Sequence, residues 1–167
     1  LSILIVFLLF SFSVKAQKMA CCAGKKDKAC SSSKAFASLG ENAQFSEAHD
    51  EPEAISPEYD FIGKMRWVKV KGGEDARAYE IKTAYKTNRY LLVFHEWWGL
   101  NDHIKKEADR WFKDLKDVNV IAVDLYDGKY TSNREKAAEL MKANDPERSL
   151  EIINAVLDEL GKKASIA

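Results

Sequence analysis

The sequence lacks an excess of charge of either sign. Its 167 residues include 26 Lys and Arg and 26 Asp and Glu, so the formal net charge is zero. A nucleic-acid-binding domain needs a concentrated basic surface, and attraction to an anionic membrane needs a polybasic patch. The balanced composition argues against both, and a small molecule is the expected partner. With 46% hydrophobic residues, the chain can form one domain with a core.

Cysteine is scarce, and the part of the chain that reads as a folded domain has none. The three cysteines are Cys21, Cys22 and Cys30, so no disulfide framework is predicted for the core. In an oxidising compartment two of them can pair, or they remain thiols of a tail. Lipidation of Cys21 and a metal site are the alternatives. Lys18 is charged where a lipoprotein site has an aliphatic residue.

The apolar segment at the start is too short for a membrane span. Residues 1–14 fall short of the roughly 20 that cross a bilayer, and Val14 and Ala16 supply the small residues of a signal-peptidase site. We predict a signal peptide at 1–16 and export to the periplasm or the extracellular space, with an uncleaved membrane anchor as the alternative. Residues 17–57 show no sustained period and are predicted to be a flexible lead-in.

From residue 58 onward, strand and helix patterns alternate. Two alternating runs around Gly72 and Gly73 predict a β-hairpin at 64–71 and 77–83. The further predicted elements are a strand covered on both faces at 91–94, a helix at about 102–115, a buried strand at 118–125, a helix at about 133–142, a helix capped by Asp145 and ended by Gly161, and a third buried strand starting at 164. A short helix within 45–52 is also expected.

This order of elements predicts an α/β fold with a mixed, mainly parallel sheet and flanking helices. Such a sheet needs more strands, so residues 58–167 are interpreted as the first part of an incomplete α/β-hydrolase-type domain with an exposed final edge. The expected apolar sides of the two longest helices are Ile104, Ala108, Trp111 or Phe112, and Leu115 for the first, and Leu150, Ile153, Val156 or Leu157, and Leu160 for the second.

The turn His95-Glu96-Trp97-Trp98-Gly99 joins the strand at 91–94 to the helix at about 102–115. In α/β sheets, ligands bind just beyond the carboxyl ends of strands. A carboxylate and two indoles in such a turn cost stability, which indicates that the turn belongs to a binding or catalytic site.

Residues 93–104, Val-Phe-His-Glu-Trp-Trp-Gly-Leu-Asn-Asp-His-Ile, and 122–128, Ala-Val-Asp-Leu-Tyr-Asp-Gly, resemble the dienelactone hydrolase family, a branch of the α/β-hydrolases. The likeness covers roughly 61–167. It implies hydrolysis of an ester or lactone by nucleophilic acyl transfer, without a cofactor. At matched positions it implies that Glu96 keeps a nucleophilic cysteine reactive and that the Trp97 N–H forms half of the oxyanion hole.

The same resemblance places the nucleophile, in a Gly-x-Cys-x-Gly turn, and its Asp and His partners beyond Ala167. The chain as given is therefore expected to be inactive. A non-catalytic α/β protein that binds a small molecule is the alternative. A nucleotide-binding domain is disfavoured because no Gly-rich phosphate loop opens a helix.

Each residue of the turn also has a structural interpretation. Glu96 could instead stabilise the N-terminus of the following helix through its dipole. One of Trp97 and Trp98 is expected in the core, and Trp98 is assigned to the wall of the substrate pocket. His95, His103 and their acidic neighbours suggest a metal, but their spacing matches no strong zinc pattern, so no metal is predicted.

Four further polar residues are given structural roles. Asp124, at the end of the strand 118–125, is expected to be a structural hydrogen-bonding residue. Arg134 and Arg148 could meet an acidic substrate but are assigned as solvated helix residues, and His49 is assigned as a solvated histidine.

Overall fold

The computed structural model describes residues 42–48 and 51–167. The predicted signal peptide, the three cysteines and His49 lie outside these ranges. Within them the elements are α1 (Ala43–Glu47), β1 (Lys64–Val68), β2 (Ala76–Ile81), β3 (Arg89–Phe94), α2 (Asp102–Leu115), β4 (Asn119–Val123), α3 (Arg134–Ala143), α4 (Pro146–Leu160) and β5 (Ser165–Ile166). Every helix in the described ranges falls short of the length and apolarity that a membrane crossing requires.

The five strands form one sheet in the order β1-β2-β4-β3-β5. The hairpin β1–β2 is antiparallel, and β2 pairs antiparallel with β4. β3 is parallel to both β4 and β5. The mixed α/β sheet is therefore confirmed for the described residues, but the expectation that it is mainly parallel is wrong for them. The reason is that the hairpin joins the sheet through β2, which adds a second antiparallel pairing.

Helices cover both faces of the sheet, because successive side chains of a strand point to opposite faces. α2 packs on one face and α4 on the other. The α2 side buries Tyr79, Ile81, Leu100, Ile104, Ala108, Val120 and Ala122. The α4 side buries Val68, Val70, Ala76, Ala78, Ile121, Val123, Ile152, Ala155 and Val156. β4 is buried along its whole length, as expected for the central strand of a three-layer arrangement.

Two strands are less buried than predicted. β3 is buried at none of its positions, and Phe94 is 45% exposed. Both residues of β5 are exposed at the edge of the sheet. The predicted strand at the end of the chain exists, but it is not buried. β3 contacts the core on both faces, as predicted, because Tyr90 and Leu92 pack on the α4 side and Leu91 and Val93 on the α2 side, but these side chains are only partly buried. The continuous apolar runs correctly predict strands, but how deeply a strand is buried depends on packing against elements that are distant in the sequence.

The two long helices begin where their caps predict. Asn101 Oδ1 accepts a hydrogen bond from the Ile104 N–H at 3.1 Å, and Asp145 Oδ1 accepts one from the Glu147 N–H at 2.9 Å. The buried side of α2 contains Ile104 and Ala108 as predicted, with Phe112 rather than Trp111 packed against the core. Each cap bonds to a residue two or three positions further along the chain, so both caps could be predicted from the sequence.

The apolar side assigned to α4 is correct in its second half, where Val156 is buried and Leu160 packs against the core, and wrong by one position in its first half. The structure buries Ser149, Ile152, Ala155 and Val156, whereas Leu150 is 59% exposed. Apolar residues lie on two adjacent lines of this helix, so a period of 3.6 residues does not choose between them. The Ser149 hydroxyl is satisfied locally, since it donates to Asn144 Oδ1 at 3.2 Å.

Candidate functional site

The candidate site lies where the parallel strands β3 and β4 end side by side. The loop after β3 begins with a tight turn in which the Gly99 N–H donates to the Glu96 carbonyl at 3.2 Å. The Asn101 N–H then donates to the Gly99 carbonyl at 2.8 Å, and α2 follows at once. The sequence-predicted turn thus forms at the carboxyl end of a strand, the position where α/β sheets bind ligands.

The loop after β4 holds this turn from the side. The Thr131 N–H donates to the Trp98 carbonyl at 3.0 Å. Gly99 has a φ of +82°, and a Cβ there would overlap the carbonyl oxygen of Lys129 and lie 2.9 Å from Cα of Tyr130. The two loops therefore meet backbone to backbone, and this packing fixes the position of the turn.

The two indoles of the turn are both buried. Trp97 and Trp98 are each 3% exposed, their ring centroids are 4.8 Å apart, and Ala137 of α3 packs against them. The Phe45 and Trp97 rings meet edge to face at 5.5 Å between centroids, so a short helix does pack on the domain, although it lies at Ala43–Glu47 rather than within 45–52. One indole was expected in the core, and the structure buries both. The pocket role of Trp98 stays a prediction.

His95 joins the two loops through both ring nitrogens. Nε2 lies 3.0 Å from the Leu125 backbone N, and Nδ1 lies 2.7 Å from the Glu96 carbonyl oxygen. Because the Leu125 N–H can only donate, Nε2 accepts and Nδ1 carries the proton that Glu96 receives. The ring edge also packs on Tyr126 at 4.6 Å. Sequence placed His95 at the sheet end, but it gave no signal for the bond to Leu125.

Burial governs the titration of the groups around His95. It lowers the pKa of His95, although the Glu96 carbonyl and the charges of Asp124 and Glu96 act in the opposite direction. Burial raises the pKa of Asp124, against the Tyr126 N–H bond and the nearby His95 and Arg77. Burial also raises the pKa of Tyr126 to about 12. The neutral imidazole is therefore the favoured form of His95 near neutral pH.

The free energy of unfolding is expected to fall on acidification because of His95. In the unfolded chain a histidine titrates near pH 6.5, and the lowered folded pKa means that the unfolded state takes up the proton first. The contribution of His95 is complete above about pH 6.5 and is lost as the pH falls through the folded pKa. Urea unfolding of wild type and His95→Asn between about pH 8 and pH 5 measures the difference.

The His95→Asn variant is needed as a reference because the pKa shift of Asp124 changes the free energy of unfolding with pH in the opposite direction. A raised carboxyl pKa gives stability that is present below about pH 4 and is lost as the pH rises through the folded pKa. Parallel curves for wild type and His95→Asn would contradict the assignment of the acid-side loss to His95.

Asp124 and Arg148 stabilise the loop after β4. Asp124 is 2% exposed, accepts from the Tyr126 N–H at 3.1 Å and lies 3.5 Å from Arg77 Nη2, which confirms its structural role. Arg148 was expected to be solvated, and this is wrong. Its Nη2 donates to Asp127 Oδ1 at 2.9 Å and to the Glu74 carbonyl at 2.8 Å, so it joins this loop to the β1–β2 turn.

The remaining predicted residues are exposed or half-buried. The Glu96 side chain is exposed, and His103 is half-buried in the first turn of α2. Arg134 lies 3.9 Å from Glu51 and is half-buried. Across residues 42–48 and 51–167, no group of three or more His, Cys, Asp or Glu side chains is placed to hold a metal ion. The site thus presents an exposed carboxylate beside a turn whose backbone is held by neighbouring loops.

Comparison with known proteins gives partial matches. No protein-family model matches the chain. It is 38% identical over 76 residues to a protein of Aquifex aeolicus (strain VF5) named "Putative carboxymethylenebutenolidase", with 42% of this chain and 31% of that protein covered. It is 36% identical over 74 residues to "Protein usf" of Aquifex pyrophilus, with the same coverage of 42% and 31%. The chain therefore spans about a third of the length of the curated relatives it matches.

Among solved structures, the chain is similar to one named m3DLH. The TM-score is 0.46 and the sequence identity 22%, over 64% of this chain and 46% of that one. A TM-score and an identity this low support no conclusion about function. Over part of its length the chain is thus similar to a protein named "Putative carboxymethylenebutenolidase", another name for dienelactone hydrolase.

Proposed function

We propose that the protein is a hydrolase of the dienelactone hydrolase type that acts on ester or lactone bonds. The observation that carries the proposal is the Glu96–Gly99 turn at the carboxyl end of β3, which combines an exposed carboxylate with a peptide backbone held by hydrogen bonds. The partial identity to a protein named as a carboxymethylenebutenolidase supports it. Membership of this family, and export of the protein, are parts of the proposal.

The proposed reaction is nucleophilic acyl transfer. A cysteine thiolate from a segment beyond Ala167 attacks the ester carbonyl carbon, and the carbonyl oxygen takes the negative charge. The Trp97 N–H is one of two donors to this oxyanion, and such a donor typically contributes about 3 kcal/mol to lowering the barrier. The tetrahedral intermediate collapses to an acyl-enzyme as its C–O bond breaks and the alcohol leaves with a proton from the histidine partner of the nucleophile. Water, which returns a proton to that histidine, then attacks the thioester, releases the acid and restores the thiolate. Glu96 holds the thiol in a reactive state, and Trp98 borders the substrate.

The first test is to read the parent gene. A Gly-x-Cys-x-Gly or Gly-x-Ser-x-Gly turn is expected within roughly ten residues after Ala167. Its absence would overturn the enzymatic proposal and favour the alternative, a non-catalytic protein that uses the same turn to bind a small molecule.

Glu96→Gln in the full-length protein is expected to lower kcat/KM for ester hydrolysis by about a hundredfold or more. The amide keeps the shape of the side chain but has no charge with which to influence the thiol. Hydrolysis of p-nitrophenyl acetate across pH measures the effect, because loss of the tuning group also changes the pH profile. Glu135→Gln, which neutralises an exposed glutamate in the first turn of α3, is the matched control.

If Glu96→Gln hydrolyses the ester as wild type does at every pH, Glu96 has no tuning role. A loss of stability of about 0.3–1 kcal/mol with unchanged kinetics would instead support a helix-dipole role for Glu96.

A further inference from the structure

The peptide group between Glu96 and Trp97 is held at its carbonyl end. The Glu96 carbonyl oxygen accepts two hydrogen bonds, one from His95 Nδ1 at 2.7 Å and one from the Gly99 N–H at 3.2 Å. A trans peptide is planar, so its C=O and N–H point in opposite directions. None of the peptide bonds in the described ranges is cis. The two donors on the Glu96 oxygen therefore set the direction of the Trp97 N–H.

His95, which donates the shorter of these two bonds, is itself held in place by the segment after β4. Leu125 is the second residue after β4, and its N–H donates to His95 Nε2 at 3.0 Å. That bond requires the Nδ1–H tautomer, the form that can donate to Glu96. The contact of the imidazole with Tyr126, at 4.6 Å between ring centroids, limits the tilt of the ring. The end of β4 thus controls a peptide in the loop after β3.

We propose that His95 is a positioning residue that orients the Trp97 N–H toward the substrate carbonyl by holding the Glu96 carbonyl from behind. This rests on the proposed function, in which that N–H is an oxyanion donor. A peptide that accepts at its oxygen is also polarised so that its N–H becomes a stronger donor. His95 does not touch the substrate in this arrangement. It acts through one peptide group.

The arrangement predicts a dependence on the protonation of His95. Protonation places an N–H at Nε2, facing the Leu125 N–H. The two donors repel each other, and this repulsion displaces the ring and its Nδ1–H from the Glu96 carbonyl; an asparagine at this position has no such repulsion. The charged groups near the ring are Glu96 in its own loop and Asp124, the first residue after β4, which is itself 3.5 Å from Arg77 of β2. Tyr126 contributes a neutral hydroxyl. Burial lowers the pKa of His95 against these carboxylates. kcat is therefore expected to fall on the acid side as the imidazole takes up a proton.

Two substitutions of His95 separate its two hydrogen bonds. In His95→Asn the side-chain N–H₂ stands near the position of Nδ1, so the bond to the Glu96 carbonyl can be retained. In His95→Gln the amide stands near the position of Nε2, where its oxygen can accept from the Leu125 N–H while the bond to Glu96 is lost. Both variants lose the imidazole ring and its contact with Tyr126.

In the full-length protein, His95→Gln is expected to lower kcat for p-nitrophenyl acetate about tenfold to a hundredfold, with KM within about threefold of wild type. His95→Asn is expected to recover most of kcat. The acid-side fall in kcat assigned to the imidazole should be absent from the Asn variant. Equal losses of kcat in both variants, or a higher kcat in His95→Gln than in His95→Asn, would overturn the proposal. If His95 only joined the loops, the variant that keeps the bond to Leu125, His95→Gln, would be the more active one.

His103→Gln is the matched control, since it removes the other histidine of the described residues, half-buried in α2. The Trp97 amide gives a readout that does not depend on activity. Its ¹H–¹⁵N resonance is expected to be near that of wild type in His95→Asn and displaced in His95→Gln. If wild type hydrolyses no ester, the proposed function fails, and this resonance still decides whether His95 orients the peptide. An unmoved resonance in the Gln variant overturns that orientation.

Discussion

Gly99→Ala is expected to lower the free energy of unfolding by about 4 kcal/mol or more, a large part of the roughly 5–15 kcal/mol that keeps a domain folded. Two costs combine at this position. The φ of +82° is unfavourable for any residue with a Cβ, by about 1–2 kcal/mol. In addition, the new methyl would overlap the Lys129 carbonyl oxygen and crowd Cα of Tyr130, both backbone atoms that cannot move aside as a side chain can.

Gly72→Ala separates these two costs. Gly72 has a φ of +79°, and a Cβ there meets nothing within 4 Å. Its substitution should therefore cost only the conformational part, about 1–2 kcal/mol. Urea unfolding of both variants gives the difference, which is the cost of pushing the two loops apart. Equal losses in the two variants would mean that the loops do not approach as closely as the structure has them.

Amide hydrogen exchange gives a local test even if Gly99→Ala is too unstable for a full unfolding curve. The Thr131 N–H donates to the Trp98 carbonyl across the same contact, at 3.0 Å. Its exchange is expected to be much faster in Gly99→Ala than in Gly72→Ala, because only the first substitution separates the loops. Similar rates would contradict the proposed cause.

Features of the fold that depend on neighbouring residues could be predicted from the sequence. The bounds of α2 and α4 follow from Asn101 and Asp145 as caps and from Gly161 at the end of α4, all within a few residues of the element they define. The hairpin likewise follows from alternating side chains around a glycine pair. These signals are local, so they need no knowledge of what packs against them.

Features that depend on distant residues could not be predicted. Leu150 and Ser149 are neighbours with opposite burial, and only the position of the sheet under α4 decides between them. The bond from Leu125 to His95 joins two loops that 30 residues separate. The Glu96 turn was found because its composition is unusual. The histidine that holds it in place was not recognised, since one half-buried histidine has no distinctive sequence pattern.

Asp109 has a structural role that its position in the sequence does not indicate. An aspartate within a helix normally reads as part of the solvated side, yet Asp109 is 0% exposed. Its Oδ1 accepts from the Tyr79 hydroxyl at 2.6 Å, and its Oδ2 accepts from the Tyr59 hydroxyl at 3.2 Å and from the Ile62 N–H at 3.1 Å. This carboxylate therefore ties α2 to β2 and to the segment that leads into β1.

Asp109→Ala is expected to lower the free energy of unfolding by about 3–5 kcal/mol. The substitution leaves three donors without their acceptor, and the Tyr79 hydroxyl keeps its proton because burial alone, the largest cause, raises the pKa of Tyr79. Urea unfolding measures the loss. Asp114→Ala, on the exposed side of the same helix with only a 3.9 Å ion pair to Arg110, should change stability by less than about 0.5 kcal/mol.

A double-mutant cycle with Tyr79→Phe tests whether Asp109 acts through this bond. Tyr79→Phe removes the same hydrogen bond from the other side and also leaves the Gly63 N–H without the hydroxyl that it meets at 2.7 Å. If the bond stabilises the fold, the loss in the double variant is smaller than the sum of the single losses by about 1–3 kcal/mol. Strict additivity would show that the two residues act independently. The cost of Asp109→Ala would then come from the Tyr59 and Ile62 donors alone.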